Sequence, residues 1–390
     1  MDTHERAWRR GLAALAALVM AAGLAACGSS DDDGGGETAA ASTGGTAAAT
    51  SEAAAPSEDK KPVKLAMELT LTGVKFGQDT KAGIEGFVEE DGAVELDVQG
   101  PPSIDPVTAQ KQLTDMLAKN PDAVGVAPFP PELWQRTLTT IHQRFPDASL
   151  TFNIKPAGKV EDVDKAPIQT FVGVDDTESA REVLRKTIEL AGLGPDTTGM
   201  AIIGQCVAGE TGVLYERTQG FKQVFAELLP EVEVHEFDSK VEPQANTNAW
   251  TAELAANPDP VLAIGTCDQD GTSLYKIKKQ RGYTFPVGAV ETPPEVVAGI
   301  KDGSILASSA VNWYLEGYTA ARLLAEAARG AEMPKGFVDI GTTLITKDNI
   351  DEIEKRDSSL AETKAWYAPK IEELFADLPA HTHPMQDAWK

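Results

Sequence analysis

From residue 63 the chain alternates short apolar runs with stretches whose apolar residues recur every three or four positions, the pattern of strands interleaved with amphipathic helices. Segments 63–67, 94–98, 123–127 and 149–152 read as strands, and 80–89, 107–119 and 132–145 as the helices between or after them. Within 107–119, Ala109, Leu113, Met116 and Leu117 fall on one helical face, and Asn120-Pro121-Asp122 stops the helix. The alternation pauses over 156–167 and then resumes. Strands are expected at 172–174, 200–203, 232–237, 261–264, 287–289, 307–311 and 339–346. Asp176 or Thr177 caps a helix carrying Ala180, Val183, Leu184 and Ile188 on one side. Further helices are expected at 213–229, 250–256, 273–280, 296–300 and 314–329. Regular βα alternation demands parallel sheets covered by helices on both faces, so the chain is α/β with two doubly wound lobes. Beyond 349, segment 361–375 reads as one more amphipathic helix presenting Trp366, Tyr367, Ile371 and Leu374, and the last dozen residues are expected to fray.

The start of the chain follows other rules. Arg6, Arg9 and Arg10 precede an apolar run from Leu12 to Leu24, about thirteen residues, which suits a signal-peptide core better than a membrane span. The run ends in Leu24-Ala25-Ala26-Cys27-Gly28, similar to a bacterial lipobox, in which Cys27 is the residue that accepts a diacylglyceryl group. A plain secretory signal or an N-terminal membrane anchor is the alternative. Segment 28–62 is Gly, Ala, Ser, Thr, Asp and Glu without an aromatic residue, the composition of a flexible tether spanning roughly 30–35 Å.

Composition narrows the function. The 390 residues carry 60 acidic against 35 basic side chains, a formal charge of -25 that repels phosphate backbones and anionic lipid, so nucleic acid is not an expected partner. Three cysteines exclude a disulfide-stapled mini-fold and a thiolate metal cluster. No G-x-S-x-G elbow, P-loop, H-E-x-x-H or dinucleotide glycine fingerprint occurs, and no cofactor is implied. His381-Thr382-His383 lies in the tail, where an exposed segment is a better reading than a weak metal chelate. One enzymatic constellation can be assembled, a Cys206–His235 nucleophile pair, as a remote alternative.

Several stretches, in order, carry a family resemblance. They are Asp105-Pro106 leading into 109–119; Val172-Gly173-Val174-Asp175-Asp176; Gly209 followed by Glu216-Arg217-Thr218-Gln219-Gly220-Phe221; Asn257-Pro258-Asp259; Asp268; Val287-Gly288 with Thr292-Pro293; and Thr346-Lys347-Asp348-Asn349-Ile350. Over about 64–350 the chain resembles the solute-binding proteins of bacterial ABC importers, in the sugar-binding, ribose-binding-protein-like branch of the type I periplasmic binding proteins. The resemblance implies two lobes joined by a three-segment hinge near Val174, Val311-Asn312 and Gly341. It divides the chain into signal 1–27, linker 28–62, an N-terminal lobe of 63–173 plus 312–341, a C-terminal lobe of 174–311 plus 342–349, and an extension over 350–390. It also implies an extracytoplasmic, membrane-anchored monomer that captures a sugar-like small molecule and delivers it to an ABC permease. The same lobes can instead serve a receptor that signals to a membrane kinase or chemoreceptor.

Carried over position by position, the resemblance makes Arg217 the cleft arginine, against a surface ion pair, and Phe76 the aromatic that stacks on a sugar face, against a core ring. Asn153 falls at a ligand-binding aspartate. Ala127, Ile154, Cys267, Val290 and Val311 occupy family positions that are otherwise polar, and Asp268, Glu291 and Asn312 stand beside three of them as substitutes. Phe129, Trp134, Trp250, Trp313 and Tyr314 add aromatic surface, which implies a larger or more apolar solute than ribose. The candidate binding set is therefore Phe76, Phe129, Asn153, Arg217, Cys267, Asp268, Glu291, Asn312 and Trp313. In the family's strand order Cys206 and Cys267 follow neighbouring strands, which allows a disulfide at the cleft floor, with two free thiols as the alternative.

Overall fold

The computed structural model describes residues 60–157, 159–210 and 212–389. The signal segment, Cys27 and nearly all of the expected tether lie outside the described residues. The first series is β1 (Val63–Glu68), α1 (Lys75–Asp91), β2 (Val94–Gln99), α2 (Pro106–Leu117), β3 (Ala123–Val126), α3 (Gln135–Arg144), β4 (Ser149–Phe152) and β5 (Thr170–Gly173). Strands β3, β4 and β5 are buried along their whole length, as central parallel strands with helices on both faces must be.

The second series is α4 (Asp176–Ala191), β6 (Gly199–Gln205), α5 (Val213–Leu228), β7 (Val232–Asp238), α6 (Pro243–Ala256), β8 (Leu262–Gly265), α7 (Asp268–Arg281), β9 (Gly288–Val290), α8 (Pro294–Asp302) and β10 (Ala307–Val311). The chain then returns through α9 (Trp313–Ala328), β11 (Gly336–Asp339), β12 (Thr342–Ile345), α10 (Ile350–Asp357), α11 (Leu360–Ala376) and β13 (Thr382–His383).

One sheet has the order β13-β11-β5-β4-β3-β1-β2 and is parallel except at the β11–β13 edge. The other lobe holds β7-β6-β8 and β12-β10-β9, and a parallel bridge from Ala263 to Val287 joins the two ladders. Each lobe packs apolar cores against its sheet; Leu65, Met67, Ile84 and Leu324 belong to one, and Ile202, Trp250 and Leu274 to another. Helices α1 and α9 meet closely because glycine faces backbone on each: a Cβ at Gly83 would lie 2.0 Å from the Tyr314 carbonyl oxygen, and one at Gly317 would lie 2.0 Å from that of Thr80.

Three crossovers connect the sheets: between β5 and α4, between β10 and α9, and between β11 and β12. The single strand expected over 339–346 is in fact two. Gly341 adopts φ 63° and turns the chain, so β11 joins the first sheet while β12 pairs antiparallel with β10 in the second. Asn312 ties two crossovers together. Its Nδ2 donates to the carbonyls of Ile340 and Gly341 at 3.1 and 3.0 Å, and its Oδ1 accepts from Thr343 at 2.8 Å.

The end of the chain does not fray. β13 pairs with the edge strand β11, and Met385 and Ala388 are buried against Val163, Phe171 and Phe337. Two residues of backbone pairing and a few apolar contacts suffice to hold it, which polar composition alone does not disclose. The helix expected at 361–375 is α11, which packs on α9, while α10 before it packs on α8 of the other lobe. Among the described residues no helix is long and apolar enough to cross a membrane.

Candidate functional site

A cavity of about 240 Å³ lies between the lobes. Its wall residues sit directly beyond strand ends: Thr70 after β1, Phe129 after β3, Asn153 after β4, Val174 after β5, Cys206 after β6, Cys267 after β8, Glu291 after β9 and Trp313 after β10. The carboxyl ends of parallel strands from both sheets converge there, where open α/β folds place their ligands.

The N-terminal lobe supplies the aromatic side. Phe76 and Trp313 form a tilted pair with ring centroids 5.3 Å apart, and both line the cavity. Phe129 stands nearby, and the indole N–H of buried Trp134 donates to its carbonyl at 3.1 Å. Asn153 sits at φ 64°, a conformation asparagine tolerates better than most residues, and its Oδ1 accepts from the Thr70 hydroxyl at 3.1 Å.

Polar groups of the C-terminal lobe face that wall. Arg217 on α5 donates from Nε and Nη2 to Asp176 Oδ1 at 3.1 and 3.0 Å, and from Nη1 to the Thr266 carbonyl at 3.0 Å. Three of its five N–H groups are thereby used in fixing the guanidinium plane, which leaves one on each terminal nitrogen for a ligand. Asp176 is free for this task because Asp175, rather than Asp176 or Thr177, caps α4, accepting from the N–H groups of Thr177 and Glu178.

Three carboxyl groups complete the lining. Glu291 occupies a φ 63° position after β9, and its Oε2 accepts from the Trp313 indole at 2.9 Å. Asp268 accepts from the backbone N–H of Gln269 at 2.9 Å. Glu316, 1% exposed, accepts from the Asn153 backbone N–H at 2.9 Å through Oε1, while its Oε2 has no partner. Burial pushes Glu291 up to about 7 against the opposing pull of Arg217; it raises Asp268 and lifts Glu316 well above the ordinary carboxylate range.

Eight of the nine candidate binding residues line the cavity, and Asn312 does not, because its amide is committed to the crossover carbonyls. Of the extra aromatics, Phe129 and Trp313 reach the cavity. Trp134, Trp250 and Tyr314 are core residues: Trp250 donates to buried Asp270 at 2.7 Å, and Tyr314 stacks on Tyr367. Sequence reasoning missed Glu316, Thr70 and Asp176 as wall residues. One signal was available: Glu316 stands three residues after Trp313, hence on the same helical face. Lys155 was missed as well. It is buried just behind the wall, with Nζ bonded to Glu216 and 3.4 Å from Asp176.

Cys206 and Cys267 are joined in the structure, with Cα atoms 6.3 Å apart across 61 residues of sequence. Asp270 lies beside them, but bridged sulfurs carry no thiolate for a metal, and the Asp270 carboxylate already accepts from Asn246 and Trp250. Closing so long a loop contributes about 4 kcal/mol in the chain-entropy model. Peptide mapping after alkylation of the unfolded, unreduced chain is expected to find both residues unmodified. Alkylation of both would remove the bridge.

No match emerges among curated proteins. The solved structures are more informative. A glucose-galactose binding protein of Geobacillus stearothermophilus superposes with TM-score 0.64 at 18% identity, over 74% of this chain and 99% of that one. An ABC transporter solute-binding protein of Agrobacterium vitis bound to α-D-tagatopyranose gives TM-score 0.64 at 22% identity, over 74% and 96%. Another from the same organism, with bound D-fucose, gives 0.66 at 19%, over 75% and 98%. A family model described as a periplasmic binding protein domain matches residues 67–332, which is more than half of the chain. With two α/β lobes, three crossovers and a cavity at the facing strand ends, this chain belongs to the periplasmic binding protein domain family.

Proposed function

We propose that this protein captures a carbohydrate- or polyol-like solute between its lobes and delivers it to an ABC importer. The observation that carries the reading is a cavity with an aromatic wall, Phe76 and Trp313, on one lobe and an oriented arginine, Arg217, on the other. An aromatic pair suits the apolar face of a sugar ring, and the guanidinium and carboxyl groups suit its hydroxyls. A solute that touches both walls favours the closed arrangement of the lobes, and closure is the change a permease can read. The sugars named with the structural neighbours support the same ligand class. The family is one of extracytoplasmic binding proteins, and a diacylglyceryl group on Cys27 would hold this member, as a monomer, at the membrane.

Thermal-shift screening against pentoses, hexoses, polyols, inositols and nucleosides, with their amino derivatives, tests the reading. A ligand at one hundred times its dissociation constant is expected to add about 2.7 kcal/mol. Silence across the panel overturns the proposal. Arg217→Ala is expected to remove most of any shift, and an undiminished shift takes Arg217 out of the site.

A further inference from the structure

The charges around the cavity do not balance. Asp176 is held by Arg217 and approached by Lys155, and Lys155 also pairs with Glu216. That group pairs two cations with two carboxylates, and Arg217 acts on Asp268 and Glu291 only at longer range. Asp268, Glu291 and Glu316 remain, and among the described residues none of the three forms a salt bridge; their bonded partners are the neutral N–H groups of Gln269, Trp313 and Asn153. Glu316 is the telling member. A side chain 1% exposed lines the cavity, and one of its carboxyl oxygens is buried without a hydrogen-bond partner among the described residues. An unpaired buried polar oxygen is expensive, and a donor brought to this wall by a solute would relieve that cost.

We infer that the solute carries a positive charge: an amine-bearing sugar or polyol whose ammonium group lies among Asp268, Glu291 and Glu316, beside the Phe76–Trp313 wall. The inference rests on the carbohydrate-like reading above and specifies its chemical class. An ammonium has three donors, which the carboxyl groups of this wall can share with the solute's own hydroxyls. Aromatic faces also attract cations, so the Phe76–Trp313 pair serves an aminated ring as well as it serves a neutral one. A neutral sugar would place hydroxyls against three carboxyl groups that stay ionised only at a desolvation cost. Burial raises the carboxyl groups of Glu291 and Glu316, and an ammonium placed beside them would draw both back toward the ionised form.

The test is calorimetric titration of the purified full chain with matched pairs, each neutral sugar or polyol beside its amino-deoxy counterpart, starting with glucose and glucosamine, galactose and galactosamine. In at least one pair the amine is expected to bind about tenfold or more tighter than the hydroxyl form, as a desolvated charge pair should. Glu291→Gln and Glu316→Gln are expected to reduce that preference at least about tenfold, since each keeps the shape and removes the charge. Their unliganded melting temperatures report whether the fold is intact. Neutral members binding as well as or better than the amines in every pair would overturn the cationic inference and leave the carbohydrate reading standing. Silence from both members of every pair would overturn both. A preference unchanged in folded Glu291→Gln and Glu316→Gln would also overturn the inference, because the selectivity would then come from elsewhere.

Discussion

Replacing Lys155 with methionine is expected to lower the stability of this protein by roughly 3–5 kcal/mol, the range for removing one partner of a buried ion pair. Lys155 follows β4 in the N-terminal lobe and is 2% exposed. Its ammonium bonds to Glu216 of α5 and lies 3.4 Å from Asp176 of α4, so this ionic cluster crosses from one lobe to the other. Burial alone would pull the Lys155 ammonium down, yet Glu216 and Asp176 together hold it above its ordinary range. Methionine preserves the apolar stem and takes away the charge. Asp176 keeps Arg217, so the penalty falls on Glu216, which is left buried without its cation. The double variant Lys155→Met/Glu216→Gln is therefore expected to recover most of the loss. Denaturant titration of the single and double variants checks both statements. A loss under about 1 kcal/mol for the single variant, or no recovery in the double, would show that the cluster is not the joint described here.

Lys155 also marks the limit of what could be read from the amino-acid sequence. The βα alternation was legible because strands buried on both faces are written as short apolar runs, and Ala123–Val126 and Leu262–Gly265 have that form. Most of the cavity lining was legible for a different reason: wall residues follow strand ends, and the family resemblance marked which strand ends to inspect. A buried charge has no such pattern. Lys155 stands in a segment of mixed charge, proline and glycine, and nothing local separates it from a solvated loop lysine; its partners are 21 and 61 residues away. Glu316 reads as the polar position of an amphipathic helix until α9 is seen with its first turn against the cavity. The apolar pattern over 339–346 is continuous, and only the backbone turn at Gly341 reveals that the strand changes sheets.

Glu68→Gln is expected to stabilise the protein by about 3 kcal/mol at pH 7 and by under about 1 kcal/mol at pH 5. Glu68 ends β1, is 0% exposed, and has no hydrogen-bond partner on either carboxyl oxygen. Burial first, and then the nearby charge of Asp97, push its carboxyl up from 4.5 to about 9. The folded protein therefore retains a proton that the unfolded chain releases once the pH passes about 4.5. Between those two values the native state binds more protons than the unfolded one, so stability falls as pH rises, by about 1.4 kcal/mol per pH unit from this group. The penalty is absent below the unfolded value and complete only above the folded one. Glutamine has nearly the shape of the protonated acid and leaves an equally unpartnered polar group in place, so that cost cancels and only the proton linkage is removed. Chemical denaturation of both proteins at pH 5, 6, 7 and 8 is expected to give two stability curves that diverge steadily with pH. Parallel curves would mean that Glu68 ionises in the folded protein as readily as in the unfolded chain, and that water reaches its carboxyl group there.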